Sequence, residues 1–131
     1  MTIELYLDGV FTTKSVGSLT VVKDQHQLLA VHVEDKIVVD ADVYFVASSS
    51  NGVRTNRSWK CTNKYHQGWF LPNFTDISWP KPYADDFNKV VYFVAPDAKW
   101  IAYLLEKSNK IFCRQNATLG KQCLLYYLQN S

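Results

Sequence analysis

Ser58-Trp59-Lys60-Cys61 begins the stretch that decides the fold of this chain. The stretch continues through Gly68-Trp69, Phe74-Thr75-Asp76-Ile77-Ser78-Trp79-Pro80 and Ala98-Lys99-Trp100-Ile101, and it ends at Phe112-Cys113-Arg114. It contains all four tryptophans and two of the three cysteines of the chain. Because buried indole rings anchor cores, the pattern indicates one compact β-domain closed by a disulfide.

Length and composition are those of a single globular domain spanning residues 1–131. The chain has 131 residues, of which 47% are hydrophobic and 20% charged, as in ordinary soluble domains. The net charge of +2 comes without a basic stripe, so no nucleic-acid partner is expected. The longest apolar runs, such as residues 90–95, are too short to cross a bilayer, and no membrane insertion is expected.

Alternation of apolar and polar residues predicts short strands along most of the chain. The predicted segments are 3–7, 21–22, 28–33, 37–39, 43–47, 53–61, 90–94, 99–105, 110–114 and 122–128. Short strands separated by turn signals such as Asp8-Gly9 favour an antiparallel sandwich or barrel. No helical stripe occurs, and only residues 73–79 suggest a helical turn, ended by Pro80. The long segment 62–87 reads as a loop, where function often resides.

Signals for the cellular compartment conflict. The N-terminal Met1-Thr2-Ile3-Glu4-Leu5 lacks the basic and apolar regions of a signal peptide. Three candidate glycosylation sites nevertheless occur, at Asn56, Asn73 and Asn116, each followed two positions later by Ser or Thr. Both observations fit an extracellular fragment of a larger secreted or surface protein. The alternative is an intracellular β-protein, such as a viral factor, with accidental sequons and free thiols.

The cysteines leave their pairing open. An odd number in a secreted chain implies one pair and one remaining thiol, or a partner outside the chain; two buried free thiols are the alternative. Cys123 has no evident mate, so it is a small buried residue, an exposed thiol or half of an intermolecular bridge.

Metal, cofactor and catalytic signatures are lacking in the sequence. The cysteines have no CxxC spacing, and His26, His32 and His66 do not show the spacing of metal ligands. The acidic pair Asp85-Asp86 is weak evidence for calcium, which needs six to eight oxygens, so a structural calcium is unsupported. No GxSxG, P-loop, GxGxxG or HExxH motif occurs. We therefore expect a protein that is not an enzyme and needs no cofactor.

The chain resembles the galactose-binding-domain-like modules of secreted animal proteins. The resemblance rests on Tyr6-Leu7-Asp8-Gly9 and on segments 28–35, 55–61, 68–69, 74–80, 98–101 and 111–114. It covers residues 5–114 and leaves 115–131 as a C-terminal extension or final strand. Two departures are Thr75-Asp76, where the family has an acidic pair, and Tyr103, one position after an expected tryptophan. The resemblance implies an all-β, antiparallel jelly-roll sandwich of about eight strands with Cys61 and Cys113 paired.

Candidate ligand-binding residues lie on loops. They are Asn51, Arg54, His66, Trp69 and Tyr83, within the loops 24–26, 51–54, 64–69 and 83–87. Trp69 follows a glycine in a polar loop, where aromatic residues often make exposed contacts, whereas Trp59, Trp79 and Trp100 are expected in the core.

Three functional hypotheses follow. Modules of the resembled class are mostly non-catalytic, so the leading hypothesis is an extracellular recognition or adhesion module. Its partner would be a glycan or a protein surface, bound through loops at one end of the sandwich. The second is a structural spacer or assembly domain that uses Cys123 or an exposed edge strand at residues 124–128. The third is the intracellular β-protein already described.

Overall fold

A computed structural model of the chain describes residues 2–13, 19–23, 26–38, 40, 42–49, 52–86, 94–118 and 122–130. In these segments the chain forms ten strands and no helix, arranged in two antiparallel sheets. The first sheet has the order β2 (Val10–Thr13), β1 (Thr2–Leu7), β4 (His26–Glu34), β9 (Lys110–Thr118) and β6 (Lys60–Thr62). The second has the order β3 (Leu19–Lys23), β10 (Gln122–Asn130), β5 (Tyr44–Ser49), β8 (Trp100–Ala102) and β7 (Tyr83–Asp85). The prediction of an all-β, sandwich-like fold is confirmed.

The main core combines side chains from both sheets. Alternate residues of each strand point to opposite faces, so β1 and β4 bury Leu5 and Val31, while β5 of the other sheet buries Phe45. Trp59 packs edge-on against Phe45 with ring centroids 5.8 Å apart. Its indole Nε1 donates to the Arg54 carbonyl at 2.8 Å, which satisfies the polar atom of a residue only 1% exposed.

A covalent link joins the β6 edge of the first sheet to its neighbour. Cys61 and Cys113 lie directly opposite each other in the β6–β9 pair, and their sulfurs form a disulfide. Both cysteines are fully buried. The predicted pairing is confirmed, and a disulfide is compatible with an extracellular location.

The C-terminal strand has neighbours on both sides. Residues Leu125 and Tyr126 of β10 pair with β3 on one side and with β5 on the other. β10 is therefore an interior strand of its sheet rather than the exposed edge that the sequence suggested for residues 124–128: Leu124 pairs with β3, Leu125 and Tyr126 pair on both sides, and Tyr127 and Leu128 pair with β5. Cys123 pairs through its main chain with Val22; its side chain lies outside what the structure describes.

Other strand predictions need local correction. Of the strand predicted at 37–39, Ile37 lies in a bend and Val38 in no strand, because the carboxylate of Asp35 accepts both of their backbone N–H groups at 3.1 and 2.9 Å; Val39 lies outside the described residues. Segment 73–79 forms turns without a helix. The strand predicted at 99–105 shrinks to Trp100–Ala102, and that at 53–61 to an isolated bridge at Arg54 and the start of β6. Of segment 90–94, only Val94 is described, in a bend.

The tight turn between β1 and β2 brings the long loop onto the first sheet. Asp8 and Gly9 have positive φ angles of 51° and 85°, which glycine adopts without strain. A Cβ at Gly9 would lie 3.1 Å from Pro72 and 3.2 Å from Leu71. A hydrogen at this position thus lets residues 71–72 approach the turn closely.

Within the segments described, no helix of the length and hydropathy needed to cross a membrane occurs.

Candidate functional site

The outer face of the first sheet carries its polar and aromatic side chains. The strand register places Glu4, His32 and Phe112 in one row across β1, β4 and β9. The next row consists of Tyr6, Ala30 and Arg114. Because Ala30 is small, the second row contains a depression between Tyr6 and Arg114.

The loop of residues 63–82, which joins β6 to β7, covers this depression. Trp69 and Trp79 of the loop form a buried cluster with Ala30 and Phe112. The Trp69 ring meets Phe112 edge-on at 5.1 Å and Tyr6 at 5.5 Å. The loop is therefore packed against the sheet by a second apolar core.

Arg114 fixes the path of the loop. Its guanidinium donates through Nε to Oδ2 of Asp76 at 2.8 Å, through Nη1 to the carbonyls of Trp69 and Leu71, and through Nη2 to that of Phe74. The residue is only 4% exposed. A buried charge is tolerated when it is paired and hydrogen-bonded, and these four bonds assign Arg114 to the framework of the loop.

Four aromatic rings form what we call the aromatic surface: Tyr6 of β1, Phe11 of β2, and Tyr65 and Phe70 of the loop. Tyr6 stacks on Phe70 with centroids 4.2 Å apart and meets Phe11 edge-on at 5.6 Å. Tyr65 approaches Phe112 at 6.1 Å. Tyr65 is 64% exposed and Phe11 49% exposed, whereas Tyr6 and Phe70 are partly buried.

A carboxylate lies beside the aromatic surface. Partial burial raises the pKa of Tyr6 above its ordinary value, and the carboxylate of Glu4 and the phenol of Tyr65 raise it further. Glu4 and Tyr6 lie two positions apart on β1, on the face opposite its buried residues. The Glu4 side chain is 27% exposed, which leaves it accessible as a hydrogen-bond acceptor.

Glu4 is held by a histidine that also contacts a second carboxylate. His32 Nδ1 lies 2.7 Å from Glu4 Oε1, and His32 Nε2 lies 2.9 Å from Glu34 Oε1. The imidazole stacks on Phe112 with centroids 4.3 Å apart and planes 6° apart. Its side chain is only 11% exposed, so the position of the ring is fixed by packing as well as by the two carboxylates.

Trp69 is not the exposed contact residue that the sequence suggested. It is 3% exposed, because its indole fills the depression over Ala30 rather than pointing into solvent. His66, on the same loop, is exposed and lies 5.8 Å from the Trp79 ring and 6.0 Å from the Phe74 ring. Of the predicted site residues, Trp69 and His66 both lie on the 63–82 loop.

Arg54 and Tyr83 belong to the second sheet. Arg54 bridges to Ser48 of β5 and donates to Asp97 Oδ1 at 2.7 Å and to the carbonyls of Ser49 and Val53. Tyr83 lies on β7 and donates to Asp85 Oδ2 at 3.0 Å, a hydrogen bond that raises its pKa. Asn51 lies outside the described residues. The contacts described for the predicted residues thus join different elements and do not form one site.

The three sequon asparagines differ in accessibility. Asn73 and Asn116 are exposed. Asn56 is partly buried, and its Oδ1 accepts bonds from the backbone N–H and the hydroxyl of Ser58 at 2.8 and 2.6 Å. Asn73 and Asn116 therefore offer freer side chains for modification.

The aromatic surface was missed because its rings come from separate parts of the sequence. The signal that was available is the alternation in β1, which puts Glu4 and Tyr6 on the face opposite the core residues Ile3 and Leu5. The contact of Tyr6 with Phe70 depends on the 63–82 loop folding back, which local sequence does not encode.

Among the described residues, no group of three or more His, Cys, Asp or Glu side chains is arranged to hold a metal ion. Comparison of the chain with protein-family models, with curated proteins and with solved structures finds no match. The resemblance to galactose-binding-domain-like modules accordingly stays a prediction.

Proposed function

We propose that this chain is a non-catalytic extracellular recognition module that binds a glycan across the aromatic surface. The observation that supports this most is the exposure of Phe11 and Tyr65, at 49% and 64%, together with the ring contact of Phe11 with Tyr6 and the position of Glu4 two residues from Tyr6 on the same face of β1. We propose also that the sandwich is a jelly roll of the galactose-binding-like class, as the sequence resemblance implies.

The chemistry of the surface suits a sugar. The C–H faces of a pyranose ring are apolar and stack on exposed aromatic rings, while its hydroxyls need a few fixed polar groups for orientation. The Glu4 carboxylate is an acceptor for two such hydroxyls. A shallow site of this kind gives affinities in the roughly millimolar range, equivalent to about −4 kcal/mol.

The rigidity of the surface also supports binding. Tyr6 is clamped between Phe70 and the sheet, and Glu4 is held by His32. Side chains already ordered before binding lose little conformational freedom when a ligand arrives. The extracellular placement draws on the disulfide and on the exposed sequon residues Asn73 and Asn116.

A glycan array followed by calorimetric titration of the best ligand tests the proposal. Tyr65→Ala and Phe11→Ala should each weaken binding by about tenfold, the equivalent of one lost stacking contact. Leu105→Ala is the matched control, since Leu105 is also apolar and 69% exposed but lies between β8 and β9 and is not one of the four residues of the aromatic surface. Unchanged binding by both aromatic variants would move the site elsewhere.

A further inference from the structure

We propose that proton binding at His32 controls glycan binding by holding Glu4 beside the aromatic surface. The inference rests on the proposed function, because Glu4 belongs to the proposed glycan site. It starts from the two carboxylate contacts of His32, to Glu4 at 2.7 Å and to Glu34 at 2.9 Å.

The two contacts require a proton on each ring nitrogen. A neutral imidazole has one N–H donor and one lone-pair acceptor, whereas the protonated ring has two donors. With both carboxylates ionised, only the protonated ring bonds to Glu4 and Glu34 together. Loss of that proton turns one contact into a lone pair facing a negative oxygen, and the repelled carboxylate has to move.

The ring itself cannot relieve this repulsion by turning. The imidazole of His32 is stacked on Phe112 with centroids 4.3 Å apart and lies 6.4 Å from the Trp69 ring. The His32 side chain is only 11% exposed. A rotation would break the stack and enter the packed space beneath the 63–82 loop. A glutamate must therefore swing away instead.

Glu4 is the carboxylate expected to leave. Glu34 lies opposite Lys110 in the β4–β9 register, and cross-strand neighbours of opposite charge are favourable in a sheet. Glu4 is the more exposed of the two, at 27% against 20%, and its cross-strand partner is His32 itself.

Other charged and titratable groups surround this network. Tyr6 lies two positions from Glu4 on the same face of β1. Burial, Glu4 and Tyr65 raise the pKa of Tyr6, so its phenol stays neutral near pH 7. Arg114 on β9 is engaged by Asp76. The groups facing His32 from the packed elements are Glu4 on β1, Glu34 on β4, Phe112 and Lys110 on β9, and Trp69 on the loop.

Nuclear magnetic resonance of the wild-type chain tests the coupling without any ligand. As the pH is varied, the Glu4 carboxylate carbon should show a step with the same midpoint as the signals of the His32 ring. Over the same step, affinity for the best array ligand should fall by about tenfold as pH rises, since one charge-assisted contact is lost.

Two variants sharpen the test. Glu34→Gln should abolish the Glu4 step, because the new amide can donate to Nε2 of a neutral ring that still donates from Nδ1 to Glu4. His32→Gln should make affinity independent of pH, and His66→Gln, on the exposed histidine, should change neither result.

The outcomes separate the two proposals. Affinity that does not vary with pH in the wild type, a Glu4 signal without a step, or an unaltered step in Glu34→Gln would overturn control by His32. Absence of binding to any glycan at any pH would overturn the proposed function, and the resonance of Glu4 would then still decide whether it responds to His32.

Discussion

Arg114 and Asp76 join two distant parts of the chain, with Nε of the arginine 2.8 Å from Oδ2 of the aspartate across 38 positions. Asp76 lies in the segment Phe74–Trp79 and Arg114 closes Phe112–Arg114, both within the stretch that first indicated the fold. Trp69 and Trp79 of that stretch pack in the core beneath the 63–82 loop. The ion pair between Arg114 and Asp76 fixes the path of that loop across the sheet.

Arg114→Ala should lower the free energy of unfolding by about 3–5 kcal/mol, because it leaves Asp76 and three loop carbonyls without their donor. Arg114→Lys should recover part of the loss, since a lysine keeps the charge but lacks the planar fork. Urea denaturation measures both. Arg57→Ala, at an exposed arginine, should stay within about 0.5 kcal/mol of wild type. A comparably small effect at Arg114 would contradict the anchoring role.

Trp69→Ala should destabilise the fold by about 3–5 kcal/mol, the usual range for removing a buried aromatic side chain. Tyr65→Ala, four positions earlier on the same loop but 64% exposed, should change stability by no more than about 0.5 kcal/mol. Thermal and urea unfolding of the pair provide the comparison. Equal losses in the two variants would argue that the loop packs differently.

Replacing both Cys61 and Cys113 by alanine should reduce stability by about 4 kcal/mol, from the chain-entropy estimate for a loop closed across 52 positions. Peptide mapping without reductant should recover a 61–113 linked peptide from wild type. Cys123→Ala is the control and should leave that peptide intact. Recovery of a Cys123-linked peptide instead would refute the pairing.

Glu4→Gln should lower the pKa of Tyr6. The carboxylate is the second contribution to the raised value, after partial burial, so the variant should remain above an ordinary tyrosine rather than match it. Titration of the Tyr6 ring resonances between about pH 8 and 12 follows the change. Glu106→Gln, at an exposed glutamate on another loop, should have no effect on Tyr6.

Asp97 should contribute stability that depends on acid pH. The hydrogen bond from Arg54 is the main cause that lowers the pKa of its carboxyl. A lowered folded-state pKa stabilises the fold above the unfolded pKa of about 3.9, and this contribution is lost as pH falls through the lowered value. The melting temperature of Asp97→Asn should therefore be slightly below wild type at neutral pH, and the two should converge in acid. A constant difference at all pH values would show that the charge is not involved.

Burial and alternation made the framework predictable. As expected, the side chains of Trp59, Trp79 and Trp100 are buried, because tryptophan is highly buried on average in folded proteins. The cysteine pairing followed from resemblance and is confirmed.

The candidate site was less predictable for physical reasons. Trp69 looks exposed from its polar neighbours, and its burial depends on Ala30, which lies almost forty positions away and leaves room for the indole. The sequence predicts a strand at Ile37 and Val38, but their backbone N–H groups donate to the side chain of Asp35 and not to a neighbouring strand. Contacts of these kinds are decided by tertiary structure and by competing side-chain acceptors.

The position of β10 between β3 and β5 constrains how the molecule assembles during synthesis. Residues 19–23 and 44–49 leave the ribosome early, yet the strand that joins them is contributed by residues 122–130. The second sheet cannot close until that late segment has emerged. Nascent chains will thus carry two unsatisfied strand edges while the residues between β5 and β10 are synthesised, a period in which pairing with other chains competes with folding.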